Sequence, residues 1–321
     1  MSTETVSGAL KRARDGVGVA GSGRSPGEGK KRGKALKFTG TFLLFALPSV
    51  VLLVLLNFYP VIYAGWQSLH FGDLLSQGPF VGLRNYGQVL TSSQFWGAAV
   101  FTLIFTVTGV FGSWLVGLGL ALLLRTRIPL NGLWKVLLLL PWIVPTVVSA
   151  TAWNWLVNTP QSPVPILFHA LGFGNLLFLA DPTLARVTTC IFKVWISFPF
   201  MMMMTSSALA SVDTNVYEAS KVDGANSWQT FTRITLPMIS RSTYISWILM
   251  TIFCVNDFPT IFLLTGGGPG NATQTLVVQA YQSVFQNFQV GPGVAIAFLM
   301  TIVLVIVSVV LYRQIQKVSI E

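Results

Sequence analysis

The chain has 321 residues, of which 53% are apolar and only 9% charged, with a formal net charge of +10. Soluble domains carry about a quarter charged residues, so this composition excludes an ordinary soluble enzyme and points to an all-α polytopic membrane protein. The basic excess is not a nucleic-acid footprint, because nine of the 20 Lys and Arg lie in residues 1–40 and no basic stripe interleaved with aromatics follows.

Residues 1–40 are rich in Gly, Ser, Lys and Arg and have too little apolar surface to fold, so they read as a disordered basic tail. Within them "GSGRSPGEGKKRGK" resembles a phosphate loop only superficially. Gly29-Lys30 has Arg24 where the first Gly of a Walker A motif belongs, and Gly33-Lys34 has Glu28 there.

Six apolar segments follow, near 41–66, 97–124, 132–157, 185–210, 240–265 and 291–312, within a membrane domain spanning 41–315. Each is long enough to cross about 30 Å of hydrocarbon at roughly 1.5 Å per residue. The first is too long for a signal peptide's apolar core and reads as an uncleaved anchor. With six spans both termini share a side. That side holds the basic tail, Arg125, Arg127, Lys221, Arg233, Arg241, Arg313 and Lys317, whereas the opposite loops hold Arg84 and Arg186. The bias places both termini, the short tail 316–321 and the loop 212–238 in the cytoplasm.

Pro141 and Pro145 interrupt span three, Pro199 span four and Pro259 span five. Such breaks line cavities or simply kink a bundle. Polar groups gather near them. Asn256 and Asp257 precede Pro259, and Lys193 lies two residues before Trp195. A carboxylate inside a span is a functional candidate. Lys193 reads as snorkelling or paired within the bundle. Trp153, Asn154 and Trp155 read as an interfacial belt or, with Trp195, as apolar faces beside amides suited to a sugar-sized ligand. Ser113 and Gly117 form a small-xxx-small pair suited to close helix contact. The run of glycines before Pro269 predicts a tight turn.

Cys190 and Cys254 show no metal-ligand or disulfide spacing, His70 and His169 stand alone, and the ten acidic residues are scattered. No catalytic residues, no metal site and no cofactor in this chain are expected.

The loop between spans four and five is the most structured polar stretch. In "SVDTNVYEASKVDGANSWQTFTRITLP" Asp213 or Thr214 caps a first helix, Asp223-Gly224 makes a turn, and Asn226 or Ser227 caps a second. Leu236-Pro237 is expected to end that second helix and lead back into the membrane.

Glu218, Ala219, Gly224, Ile234, Leu236 and Pro237 resemble the EAA loop of permease subunits in bacterial binding-protein-dependent ABC importers. That pattern is Glu-Ala-Ala, three residues, Gly, nine residues, Ile-x-Leu-Pro. The spacing is kept throughout, and Ser220 stands where the second Ala is usual. "FVGLRNYGQVL" at 80–90 and "NDFPTIFLLTGGGPGNATQT" at 256–275 are similar to the carbohydrate-uptake branch, the first, MalF-like permease in particular.

The resemblance implies a type I importer permease fold in the bacterial plasma (inner) membrane. It implies a second, MalG-like permease, two ATPase subunits carrying ATP and Mg, and an extracytoplasmic sugar-binding protein. Glu218, Ala219, Ser220, Asp223, Gly224, Ile234, Leu236 and Pro237 would then form the ATPase-coupling loop. The cargo would be a mono-, di- or oligosaccharide, a polyol or a glycerol phosphate. Two other classes fit the residues alone. An ion-coupled secondary transporter would use Asp257 and Lys193, and a non-transporting scaffold would have a dry interior.

Overall fold

The computed structural model describes residues 44–318 except 74, 75 and 127. The basic tail, Arg127 and the last three residues lie outside the described residues. Two units are distinguished, residues 1–61 and 62–321. The described part of the first is apolar helix with a π-helical turn at Val54–Phe58, where the Asn57 amide donates to the Leu53 carbonyl at 2.9 Å. It belongs to α1, Leu44–Ser68, which is long and apolar enough to cross a membrane.

The second unit carries the rest. A hairpin of β1 (His70–Gly72) and β2 (Gln77–Phe80) is antiparallel, with His70 opposite Phe80. It is followed by α2 (Arg84–Thr91) and by α3 (Ser93–Arg125), which contains a π-helical turn at Thr108–Gly112. Buried Asn85 ties the hairpin down by donating to the carbonyls of Ser68 (2.7 Å) and His70 (3.0 Å). Next come α4 (Asn131–Ile143), α5 (Thr146–Val157), α6 (Pro163–Ala170) and α7 (Pro182–Ala210). The chain closes with α8 (Thr214–Val222), α9 (Ser227–Val255), α10 (Phe258–Leu264), α11 (Leu276–Tyr281) and α12 (Val290–Val318).

Helix α7 is the hub. Its start is fixed by Asp181, whose carboxylate accepts from the Thr183 and Leu184 amides at 2.9 and 2.8 Å, and by Pro182 in the first turn. Its main neighbour is α3, and the seam is built from small residues. A Cβ added at Gly112 would lie 2.6 Å from Val194 Cγ2, and one at Gly117 would lie 2.7 Å from the Met202 nitrogen. Ser113 is fully buried and returns its hydroxyl to the Gly109 carbonyl. The small-xxx-small expectation therefore finds its partner in span four. Gly117→Val should lower stability by about 1–3 kcal/mol through overpacking against backbone. Gly119→Ala, with open space around its Cβ, should leave the thermal midpoint unchanged.

Two expected spans differ in form. Span three is a broken pair, α4 and α5, bent by 91°. Pro145 has no amide to donate and takes an extended conformation, so it stops α4 and starts α5. Helix α4 packs on α7 and α5 on α10. The helix that carries span five reaches back beyond its expected start near 240 and stops short of 265. Helix α9 begins at Ser227 and ends at Val255, and Asn256-Asp257 separate it from α10.

Candidate translocation site and coupling loop

Sixty-four residues apart in sequence, Lys193 of α7 and Asp257 between α9 and α10 meet. The Lys193 Nζ lies 2.7 Å from Asp257 Oδ2, and the two side chains are 7% and 9% exposed. The other carboxylate oxygen, Oδ1, accepts from the Thr260 amide at 3.1 Å and so caps α10. The lysine stem crosses α3 at the π-helical turn, where Gly109 has no Cβ to obstruct its Cγ. The ammonium also lies 5.8 Å from the centroid of the Phe105 ring. A charge with both a counter-ion and an aromatic face is what burial in a bundle requires.

The pair borders a polar cavity of about 290 Å³. Asn256, Ser197, Thr146 and Thr260 also line it, with Trp142 and Phe253 as apolar walls. The hydroxyls of Ser197 and Thr260 are buried without a hydrogen-bond partner. An unpaired buried hydroxyl is unfavourable. Trp142 is held by stacking on Phe200 at 5.2 Å.

Of the sequence candidates, Asn256 and Asp257 meet at this cavity. Trp153, Asn154 and Trp195 do not line it. Trp153 packs edge-on to Phe192 at 5.2 Å and 5.5 Å from Trp195, while Asn154 donates to the Leu264 carbonyl at 3.1 Å. Both indoles are turned into apolar packing around Phe192, and the amide is occupied in pinning α5 to the end of α10. Ser197, Thr260 and Trp142 were not singled out from the sequence. Lys193 and Ser197 are four residues apart, hence on one helix face, and that spacing was the available signal.

The polar loop folds as two short helices. Asp213 caps α8 by accepting from the Asn215 amide at 2.9 Å, and Asn226 and Gln229 form a reciprocal capping box at the start of α9. Between them Gly224 has φ +76°. Its amide donates to the Lys221 carbonyl (3.2 Å) and the Ala225 amide to the Ser220 carbonyl (3.0 Å), the paired bonds of a Schellman turn. Ser220 is buried and its hydroxyl donates to the Tyr217 carbonyl at 2.8 Å, so the extra oxygen is satisfied where an Ala is usual. Glu218, Ala219, Asp223 and Gly224 face outward. Neither acidic side chain forms an ion pair or hydrogen bond among the described residues.

Pro237 does not end the second helix. The chain passes through a π-helical turn, Phe231–Thr235, and continues as α9. The wider turn accommodates a residue with no amide to donate. Tyr217, Phe231 and Leu236 pack against a buried cluster that includes Leu124 of α3, Met202 and Leu209 of α7, Val212 just beyond it, and Ile239. Ile234 is half-buried and Pro237 exposed. The Arg125 guanidinium lies 4.3 Å from the Tyr217 ring centroid. The loop is thus seated on the ends of three spans, and Val222 and Trp228 remain 87% and 71% exposed.

Residues 113–319 match the family model described as "Binding-protein-dependent transport system inner membrane component". The chain belongs to this family. It is 33% identical over 275 residues to the trehalose/maltose transport system permease protein MalF of Thermococcus litoralis, covering 85% of this chain and 92% of that relative. A crystal structure of a bacterial ABC transporter involved in import of the acidic polysaccharide alginate superposes with TM-score 0.76 at 20% identity, over 90% of this chain and 99% of that one. A second, in complex with an alginate pentasaccharide-bound periplasmic protein, gives 0.74 at 20% identity over 87% and 94%. The fold is that of an ABC importer permease, with five apolar helices long enough to span and one bent pair among the described residues, and the protein is a multi-pass membrane transport subunit.

Proposed function

We propose that the chain is one of two permeases of an ATP-driven sugar importer, forming half of the translocation pathway around Asn256, Asp257, Lys193 and Ser197. The loop 212–238 couples it to an ATPase subunit. ATP and Mg are bound by two such partner subunits, a second permease of similar fold completes the pathway, and an extracytoplasmic binding protein delivers the cargo. The basic loops and both termini face the cytoplasm. The sugar assignment is supported by the trehalose/maltose relative and by a cavity whose ion pair sums to zero charge.

The observation that carries the coupling role is the loop's outer face. Val222 and Trp228 are exposed on a knob whose inner face is locked into the span ends, and two unpaired carboxylates, Glu218 and Asp223, flank them. Exposed aromatic residues of this kind are anchor points at interfaces. Trp228→Ala should weaken ATPase-subunit retention on the purified permease pair by tenfold or more, about 2 kcal/mol. The thermal midpoint of the permease should stay put, because this indole is outside the core. Normal retention would remove the loop from the contact.

An ion-coupled carrier is disfavoured by membership of a binding-protein-dependent transport family. A scaffold would have a dry interior, whereas a polar cavity lies beside Asn256. Import that runs without the ATPase subunits and collapses with the proton gradient would restore the carrier reading.

A further inference from the structure

A second polar pocket lies far from the Lys193–Asp257 pair. It has a volume of about 180 Å³ and sits where the starts of α3 and α12 meet the segment 274–289. Helix α3 runs from this pocket, at Gln94, to Phe105 beside the ion pair, about 16 Å along its axis. Helix α3 reaches the seat of the 212–238 loop at its other end, so the pocket lies on the opposite face of the membrane domain from that loop.

Its lining is chemically unusual. Six glutamines converge on it: Gln88, Gln94, Gln274, Gln279, Gln282 and Gln289. None of its thirteen lining residues is ionisable, and Val89 and Phe95 supply an apolar wall. Part of this amide set is a closed relay. Gln94 Nε2 donates to Gln274 Oε1 at 3.0 Å, Gln274 Nε2 donates to Gln282 Oε1, and Gln282 Nε2 donates to the Gly266 carbonyl at 3.0 Å. Gln274, in the middle of the relay, is 1% exposed. Gln279 stands outside it. This side chain is 6% exposed, lines the pocket, and its Oε1 has no partner.

Primary amides each offer donors and acceptors, the same dual capacity that a hydroxyl has. A lining with neither charge sign gives no compensation for burying an ion. An apolar wall beside hydrogen-bonding groups suits the C–H face of a sugar ring.

We propose that this pocket binds one ring of a neutral sugar at the mouth of the permease, with the Gln279 side chain turning so that its Oε1 accepts from a ring hydroxyl, as a staging site ahead of the central cavity. The inference rests on the carbohydrate reading given above and adds a second site to it.

The test uses the whole importer in proteoliposomes, without its binding protein, and two reporters at the lining of the pocket, Gln88→Cys and Asn287→Cys. Both positions are exposed. Reaction with a membrane-impermeant maleimide is timed with and without maltose, trehalose or glucose, with the two native cysteines as background. The transported sugar should slow labelling of at least one reporter about tenfold at ten times its dissociation constant, following 1 + [L]/Kd. Gln279→Leu added to the same reporter should abolish the protection while leaving the thermal midpoint level or higher, since it removes an unpaired buried acceptor. A midpoint that falls with protection retained would make Gln279 structural and overturn the proposal. So would protection by the sugar-free binding protein but by no sugar, which would assign the pocket to protein docking. An importer that carries one of these sugars once its binding protein is restored, while both reporters react at unchanged rates, overturns the pocket and leaves the carbohydrate reading standing. One that, with its binding protein restored, carries no sugar or polyol in a broad uptake screen overturns that reading and the pocket with it.

Discussion

Lys193→Met should be among the most damaging single substitutions in this protein. It leaves the Asp257 carboxylate buried with its amide contact from Thr260 but no counter-charge. Breaking a buried pair from one side costs about 3–5 kcal/mol, enough to consume much of a typical fold's margin. Asp257→Asn should be similarly harmful, because it strands the ammonium while keeping an oxygen for the α10 cap. The double variant Lys193→Met/Asp257→Asn removes both charges together. It should recover most of the lost thermal midpoint, since neutral replacement of a buried pair is often benign. Transport should separate the two roles. If the pair contacts cargo or closes the cavity, the double variant is stable and still fails to import. Full recovery of both stability and import would make the pair purely architectural.

Gly224→Val acts by a different route. A Cβ at Gly224 meets nothing within 4 Å, so the substitution has room. Its penalty lies in the backbone. At φ +76° a non-glycine residue pays roughly 1–2 kcal/mol, and a β-branched one is the least suited. The Schellman turn should open, and Trp228 should lose its placement relative to Val222. In proteoliposomes the variant should insert and pair normally yet lose ATP-driven uptake. Gly224→Asn, which tolerates the left-handed region, should keep a substantial share of it. Uptake by Gly224→Val at the wild-type rate would end the coupling role of this turn.

These two sites differ in how far they were legible beforehand. The loop's signals are local. Asp213, Asn226 with Gln229, and Gly224 each act on backbone groups within a few residues, and all three do in the structure what their chemistry indicates. The ion pair is a contact between positions 193 and 257, and no periodicity announces it. Asp257 stood out because a carboxylate in an apolar run needs an explanation, whereas its partner was one of two fates open to Lys193.

Proline carried mixed information. Pro145 marked a break but not its angle, which depends on α4 and α5 having different partners, α7 and α10. Pro237 was expected to stop a helix and does not, because a π-helical turn just ahead of it absorbs the missing donor. Aromatic residues were the least informative. Trp153 and Trp195 could face a ligand or one another, and side-chain direction across three helices decides that. Trp142, which does line the cavity, sits beside Pro141 in the same apolar run and carried no separate mark.

The continuity of α9 has a mechanical meaning. Its 29 residues run unbroken from the capping box beside Trp228 to the residue before Asn256, a length of about 43 Å at 1.5 Å per residue. A rod of that length converts angle into path. Each degree of tilt about the Trp228 end sweeps the far end through about 0.75 Å, so ten degrees carries Asp257 about 7 Å from where Lys193 waits, given that rise per residue. Two hydrogen-bonded atoms 2.7 Å apart cannot survive such a sweep. Unless α7 travels with it, a tilt of that size unlatches the pair.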